Sequence, residues 1–257
     1  MDDSDIRDLL DELNKQCEFY KPSQNCNLDE NKIAEYRTKF PKEYDQILFD
    51  HIIKLTRYID YETFYTKLIE IVQKIQDEVY IYINPYDPCH SETWCVVLAW
   101  PFIKDKVKCV FTDLTKIDEK YPVLIIDDAI YTGLRMAGFI SNIMDYSPCK
   151  KIIVCVPYAT ITYEGVVKYH LKEYKEIAQI EYYVGESIWS IRFEPHTDDM
   201  VFYLADTFDT SGIGLPIYFQ HKIAGKESTF KNIYNNCVIE IPDRKCLSFL
   251  DKLNAIA

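Results

Sequence analysis

Two adjacent carboxylates, Asp127 and Asp128, are the residues of this sequence that most directly indicate chemistry. They follow a proline and an apolar run, Val123–Ile126, which has the composition of a buried strand. Neighbouring carboxylates repel each other, so their placement favours a ligand that interacts with both. Ionised carboxylates only accept hydrogen bonds, which suits the hydroxyl groups of a sugar.

A phosphate site is predicted a few residues further on, in residues 131–135. This segment leads into a helical pattern, and the first N–H groups of a helix lack intrahelical acceptors and carry partial positive charge. Gly133 allows a close approach of the backbone, and the Thr132 hydroxyl can add a hydrogen bond. Carboxylates followed by a phosphate cradle predict a site for ribose 5-phosphate. The helical pattern consists of Met136, Phe139, Ile140, Ile143 and Met144.

Residues 123–136 resemble the phosphoribosyl-pyrophosphate (PRPP) loop of the type I phosphoribosyltransferases. That loop has an apolar strand, two acidic residues, three variable residues, Thr-Gly, a variable residue and Thr or Ser. The resemblance implies that Asp127 and Asp128 are the catalytic pair and hold the 2- and 3-hydroxyls of ribose. It implies the following PRPP-binding residues: Asp127, Asp128, Ala129, Ile130, Tyr131, Thr132, Gly133, Leu134 and Arg135.

Arg135 departs from the family pattern, which has a small hydroxyl residue at this position. Arginine binds phosphate bidentately, so one hypothesis is that it replaces the hydroxyl as a phosphate ligand. A cation in the first turn of a helix opposes the helix dipole, which favours an anion nearby. The alternatives are an exposed arginine pointing to solvent and a site that has lost turnover.

Two other interpretations fit the same residues. An ordinary α/β unit, with aspartates that cap the following helix, would give a similar pattern. A phosphatase with an aspartate nucleophile fits less well, because that chemistry usually has Asp-x-Asp after the strand.

The elements that must position these residues form an alternating β-α pattern. Short β-rich or apolar runs predict strands at 79–83, 107–111, 123–126, 151–156, 180–184 and 200–205, with helices between several of them. The sequence therefore predicts an α/β fold of phosphoribosyltransferase type, a parallel sheet flanked by helices. Ligands bind outside the carboxyl ends of such strands, where Asp127 and Asp128 are expected.

The first 77 residues are predicted to be helical, with helices near 4–17, 30–40, 41–59 and 61–76. We expect residues 1–77 to form a helical extension packed on the core, and residues 78–257 to form the phosphoribosyltransferase-like domain. A surface for a protein partner or for a homodimer is the alternative role of these helices. The predicted apolar face of the third helix comprises Ile47, Leu48, Ile52, Leu55 and Ile59.

A second ligand loop is expected after the strand at 79–83. By position alone, the resemblance places the pyrophosphate loop at Asp87, Cys89, His90 and Ser91, although this segment lacks Lys and Arg. Ser91 would cap a helix, with a strand as the alternative. Four lysines are candidates to neutralise the pyrophosphate, and the favoured alternative for any one of them is a solvated surface residue: Lys104, Lys106, Lys108 and Lys116.

His221 and Lys222 end a β-rich run, in a Tyr-Phe-Gln-His-Lys segment. This segment and the helical N-terminal region resemble a branch of phosphoribosyltransferase-like proteins predicted to act in biological conflict systems. The resemblance implies that both residues lie near the site, in the hood over the second substrate. The alternative is a strand end that turns into solvent.

Composition excludes several classes of function. The 257-residue chain has a formal net charge of −12, which disfavours a broad nucleic-acid surface. Its nine cysteines show no zinc spacing and indicate reduced, buried thiols. The acidic N-terminus lacks a signal core and no apolar run has membrane-spanning length, so we expect a cytoplasmic protein without a membrane partner.

The resemblance also implies the reaction. PRPP would transfer its ribose 5-phosphate to an unknown acceptor and release pyrophosphate, with Mg²⁺ bound through PRPP and no metal held directly by the protein. The alternative is a binding module that senses PRPP or a nucleotide without turnover.

Overall fold

The computed structural model describes residues 3–15, 29–83, 91–172, 178–188 and 217–219. The helices are α1 (Asp3–Lys15), α2 (Glu30–Arg37), α3 (Glu43–Leu55), α4 (Tyr61–Val72), α5 (Ser91–Ile103), α6 (Leu134–Tyr146) and α7 (Tyr163–His170). The strands are β1 (Arg57–Ile59), β2 (Val79–Tyr82), β3 (Val107–Phe111), β4 (Val123–Ile126), β5 (Ala129–Ile130), β6 (Lys151–Thr160), β7 (Gln179–Ile188) and β8 (Ile217–Phe219).

Six of these strands form one parallel sheet, in the spatial order β3, β2, β4, β6, β7. The sixth, β5, pairs with β6 as β4 does. Helices follow β2, β4–β5 and β6, which gives the crossover connections that parallel strands require. This confirms the predicted α/β fold class, a parallel sheet flanked by helices.

Alternate residues of the buried strands feed two hydrophobic cores, one on each face of the sheet. In β4, Leu124 and Ile126 join the core that contains residues of α1, α4 and α5. Val123 and Ile125 join the core that contains residues of α6 and α7. All four side chains are buried, as expected for a parallel sheet covered on both faces.

β4 and β5 are one strand interrupted at Asp127 and Asp128. Ile126 is opposite Cys155 and Ala129 is opposite Tyr158, so the register on β6 is the same before and after the break. The Asp127 N–H still donates to the Cys155 carbonyl oxygen, at 3.1 Å. The next N–H on β6 would belong to Pro157, which has none, and the missing hydrogen bond accounts for the break.

Two of the N-terminal helices, α1 and α4, contact the sheet or the helices that cover it. In α1, the Asn14 side-chain amide donates to the Val97 carbonyl oxygen of α5 at 2.7 Å, and Asp11 accepts from the Trp100 indole at 3.0 Å. In α4, Phe64 and Leu68 are fully buried in the same core as the sheet. The domain boundary at residue 77 stays a prediction.

The predicted helical run to Ile59 is wrong at its end. α3 ends at Leu55, and residues 57–59 form β1, which pairs in parallel with β8. Ile59 is therefore a buried strand residue rather than part of the apolar face of α3. Arg57, Tyr58 and Ile59 are β-compatible residues, and β8, which lies far along the chain, supplies the partner strand.

Other predicted elements shift at their ends. The segment after Ser91 is a helix, so the strand alternative is wrong. β6 continues through residues 157–160, past the predicted end at Val156. The strand predicted at 200–205 lies outside the described residues. In the parts of the chain that the structure describes, no helix is long and apolar enough to cross a membrane.

Candidate functional site

Asp127 and Asp128 follow the carboxyl end of β4 directly, as predicted, and both are buried. Their exposed fractions are 6% and 1%. The Asp128 N–H donates to Asp127 Oδ1 at 2.8 Å, so the first carboxylate fixes the backbone that carries the second. Burying two carboxylates side by side is costly, and such sites are common where a protein binds a ligand.

The predicted phosphate cradle opens α6. Gly133 precedes the helix with φ 93°, a left-handed conformation that favours glycine. An added Cβ there would lie 3.1 Å from the Tyr163 carbonyl oxygen. The Leu134 N–H donates to Thr132 Oγ1 at 3.3 Å, so the threonine side chain already helps to shape the turn. The glycine therefore allows a tight turn packed against α7.

Ala129 and Ile130 do not form a loop, because they are the two residues of β5. Their side chains are buried, one in each hydrophobic core. Tyr131 is partly buried against the core on the α4–α5 face. Of this segment, the backbone groups rather than the side chains of Ala129 and Ile130 are suited to contact a ligand.

The strand order places this segment at a topological switch point of the sheet. The connection from β2 runs through α5 to β3 on one side, and that from β4–β5 runs through α6 to β6 on the other. In open α/β sheets, the crevice for ligands lies where the connections from two neighbouring strands run in opposite directions. Asp127, Asp128 and the start of α6 lie on one side of this crevice, and the start of α5 lies on the other.

An ion pair that the sequence did not predict joins α5 and α6. Arg135 Nη2 lies 3.0 Å from Glu92 Oε1 and 3.3 Å from Oε2. The Glu92 side chain is 14% exposed and that of Arg135 is 40% exposed. Arg135 is therefore bound to an anionic side chain rather than pointing only to solvent. The only sequence signal for Glu92 was an acidic residue in the first turn of a helix, which is a common feature.

Several predicted site residues lie outside the described part of the chain. They are Asp87, Cys89, His90, His221 and Lys222. Ser91 is described and is the first residue of α5. The predictions for the pyrophosphate loop and the hood therefore remain predictions.

Three of the candidate lysines lie at the opposite edge of the sheet. Lys104 pairs with Asp11 at 3.1 Å, and Lys108 pairs with Glu78 at 2.5 Å. Lys106 donates to the Ile75 carbonyl oxygen, and its own carbonyl accepts from Val79 at the start of β2. The amino ends of β2 and β3 lie here, so these lysines cannot meet a ligand at the carboxyl edge. Lys116 lies in a short 3₁₀ turn after β3.

A second charged cluster lies near the carboxyl edge, on β7. Glu186 accepts from Arg57 Nη1 at 2.5 Å and from Lys67 Nζ at 2.7 Å. The hydrogen bond from Arg57, and after it the one from Lys67, lowers the pKa of Glu186 below its ordinary value. The cluster ties β1 and α4 to the sheet.

Asp127 and Asp128 supply carboxylate oxygens directly after the carboxyl end of β4. Carboxylate oxygens such as those of Asp127 and Asp128 are the donors that Mg²⁺ prefers. Within the described ranges, no group of three or more His, Cys, Asp and Glu side chains could hold a metal ion.

Comparison with known proteins gives similarity in fold alone. No protein-family profile and no curated protein matches the chain. Solved structures similar to it include a hypothetical protein from Neisseria gonorrhoeae with bound ppGpp, with 12% identity over 56% of this chain and 92% of that one and a TM-score of 0.35.

Two further structures match at a similar level. A protein from Aquifex aeolicus shares 12% identity over 65% of this chain and 86% of its own, with a TM-score of 0.35. The xanthine-guanine-hypoxanthine phosphoribosyltransferase of Helicobacter pylori shares 14% identity over 52% and 87%, with a TM-score of 0.33. Similarity at this level carries no argument about the function or the ligands of this chain.

Proposed function

We propose that this protein binds PRPP and transfers its ribose 5-phosphate to an acceptor, with release of pyrophosphate. The observation that carries the proposal is the position of the PRPP-loop motif. The two acidic residues and the Thr-Gly turn lie together at the switch point of a parallel sheet. A chance match of the motif would not be expected to fall at this edge of this kind of sheet.

Asp127 and Asp128 would accept hydrogen bonds from the ribose 2- and 3-hydroxyls. Their carboxylates are held by β4 before them and β5 after them, so the pair is fixed before a ligand arrives. A rigid pair of acceptors loses little conformational entropy on binding, which favours an oriented sugar ring.

The turn at residues 131–135 would bind the 5-phosphate. The N–H groups at the start of α6 point towards this turn, and Gly133 keeps the backbone free of a Cβ. Arg135 supplies a guanidinium, which binds phosphate in a bidentate manner. The sugar and its phosphate would thus be held from two sides, with C1 directed into the crevice.

Magnesium would enter with PRPP, where it neutralises diphosphate charge as pyrophosphate leaves. The protein's own part would be to orient the ribose and to stabilise charge, so it needs no side-chain nucleophile. The acceptor attacks C1 as the bond from C1 to the pyrophosphate oxygen breaks. Within this proposal, His221 and Lys222 would contribute to the acceptor site.

Titration calorimetry with PRPP and Mg²⁺, followed by a pyrophosphate-release assay with a panel of bases and nucleotides, tests the proposal. We expect saturable binding of PRPP and acceptor-dependent release of pyrophosphate. Binding without release for any acceptor would indicate a sensor rather than a transferase. No binding of PRPP or ribose 5-phosphate would contradict the proposal.

A further inference from the structure

The Glu92–Arg135 ion pair spans the crevice at the switch point. α5 and α6 cover opposite faces of the sheet, because their buried residues belong to different cores. Glu92 is in the first turn of α5 and Arg135 is in the first turn of α6. A contact of 3.0 Å between them must therefore pass over the carboxyl edge between β2 and β4.

The helix dipole acts in opposite directions on the two members of the pair. Glu92 at the start of α5 interacts favourably with the helix dipole, whereas Arg135 at the start of α6 is opposed by it. Arg135 therefore needs an anion close by, and Glu92 supplies one in this structure. A ligand phosphate at the same turn would supply another, with more charge.

The two anions would also repel each other. Glu92 lies 3.0 Å from Arg135, on the neighbouring helix α5, and its side chain is mostly shielded from water. Shielding weakens solvent screening, so the carboxylate would act on a phosphate in the turn. A phosphate that takes the guanidinium must compete with Glu92 for it.

We propose that Glu92 is an autoinhibitory competitor for Arg135. Without ligand, the ion pair closes the crevice. Binding of a ribose 5-phosphate group transfers the guanidinium from Glu92 to the phosphate, which separates the first turns of α5 and α6 and opens the crevice between them. This inference rests on the proposed function, since it assumes that the turn at 131–135 binds phosphate.

The test is titration calorimetry with ribose 5-phosphate on the wild type and three variants: Glu92→Gln, Arg135→Ala and the double variant. Glu92→Gln removes the competing charge with little change of shape. Arg135 is partly exposed, so the ion pair is worth little, and ribose 5-phosphate should bind to Glu92→Gln about 1.4- to 5-fold more tightly than to the wild type. In the Arg135→Ala background, the same change should have a much smaller effect.

A matched control is Asp50→Asn, which breaks a similar ion pair away from the site. Arg37 Nε and Nη2 bind Asp50 at 2.7 and 2.9 Å, between α2 and α3. This variant should bind ribose 5-phosphate as the wild type does. Thermal unfolding of each variant, and a second variant Glu92→Ala, separate loss of fold from a change in binding.

Each outcome decides between the two proposals. Unchanged or weaker binding in Glu92→Gln, with normal binding in the wild type, overturns the role of Glu92 and leaves the proposed function standing. An equal gain with and without Arg135 also overturns the competition. No binding in any protein overturns both the competition and the proposed function.

Discussion

At the scale of single residues, the site depends on charges that are held close together with little solvent. Asp128 is the more buried of the two aspartates, and its backbone N–H donates a hydrogen bond to the Asp127 side chain. A carboxylate only accepts hydrogen bonds, so we expect a ligand hydroxyl to donate one to Asp128.

We expect Asp128→Asn to weaken PRPP binding by about tenfold to a hundredfold, since a hydrogen bond to a charged group contributes about 1.5–3 kcal/mol. Calorimetry with PRPP and Mg²⁺ measures the change. Asp50→Asn, on the exposed face of α3, is the control and should bind PRPP as the wild type does. Equal affinities for all three proteins would show that Asp128 does not contact the ligand.

Arg135 tests the other half of the site. Arg135→Ala should weaken PRPP binding roughly tenfold through loss of one charged contact, while Arg135→Thr, which restores the family pattern, should recover part of it. The measurement is the dissociation constant of PRPP for each variant. If both variants bind like the wild type, Arg135 serves only its bond to Glu92. If the threonine variant gains turnover that the wild type lacks, the natural protein is a sensor.

Sequence reasoning found the two aspartates and the glycine turn because each is read from neighbouring residues. It could not find Glu92, because nothing in the sequence brings position 92 next to position 135. That contact depends on two helices that start on opposite sides of one crevice. It also could not place the candidate lysines, because the edge of the sheet at which a side chain lies depends on strand direction rather than on charge.

At the scale of elements, the turn before α6 has one position that only glycine suits. We expect Gly133→Ala to destabilise the protein by about 1–3 kcal/mol, because its backbone is left-handed and the new Cβ would press on α7. Urea unfolding measures the change. Gly138→Ala, inside α6 with open space around it, is the control and should be stabilising by about 0.5–1 kcal/mol. A loss of equal size at both positions would contradict the role of the turn.

Strands β2, β3, β4, β6 and β7 were predictable to within four residues at each end because apolar runs bounded by charge mark them clearly, whereas β1 was predicted as helix. The break between β4 and β5 was not, although its cause lies in the sequence. Pro157 interrupts the ladder only because the fold brings β6 beside the aspartates. A residue on one strand thus shapes the site on another, and this link exists only in the folded chain.

At the scale of the whole molecule, Glu186 ties the N-terminal part of the chain to the sheet. Its pKa is lowered by its bonds to Arg57 and Lys67, so the stabilisation is present above the ordinary pKa of glutamate and is lost as the pH falls through the lowered value. Glu186→Gln should therefore lower the free energy of unfolding by about 1 kcal/mol at neutral pH, with a smaller difference from the wild type at pH values well below 4.

Urea unfolding of both proteins across this pH range measures that difference. Glu119→Gln, which breaks the exposed pair with Lys150, is the control and should change stability little at any pH. A pH-independent difference for Glu186→Gln would show that the loss comes from packing rather than from charge.

The pairing of β1 with β8 has a consequence for how the chain folds. These strands are parallel and lie far apart in the sequence, so their contact forms only after the whole intervening chain has been synthesised. The described strands of the central sheet end at Ile188, so this sheet can form before residues 217–219 leave the ribosome, whereas the pairing of β1 with β8 cannot.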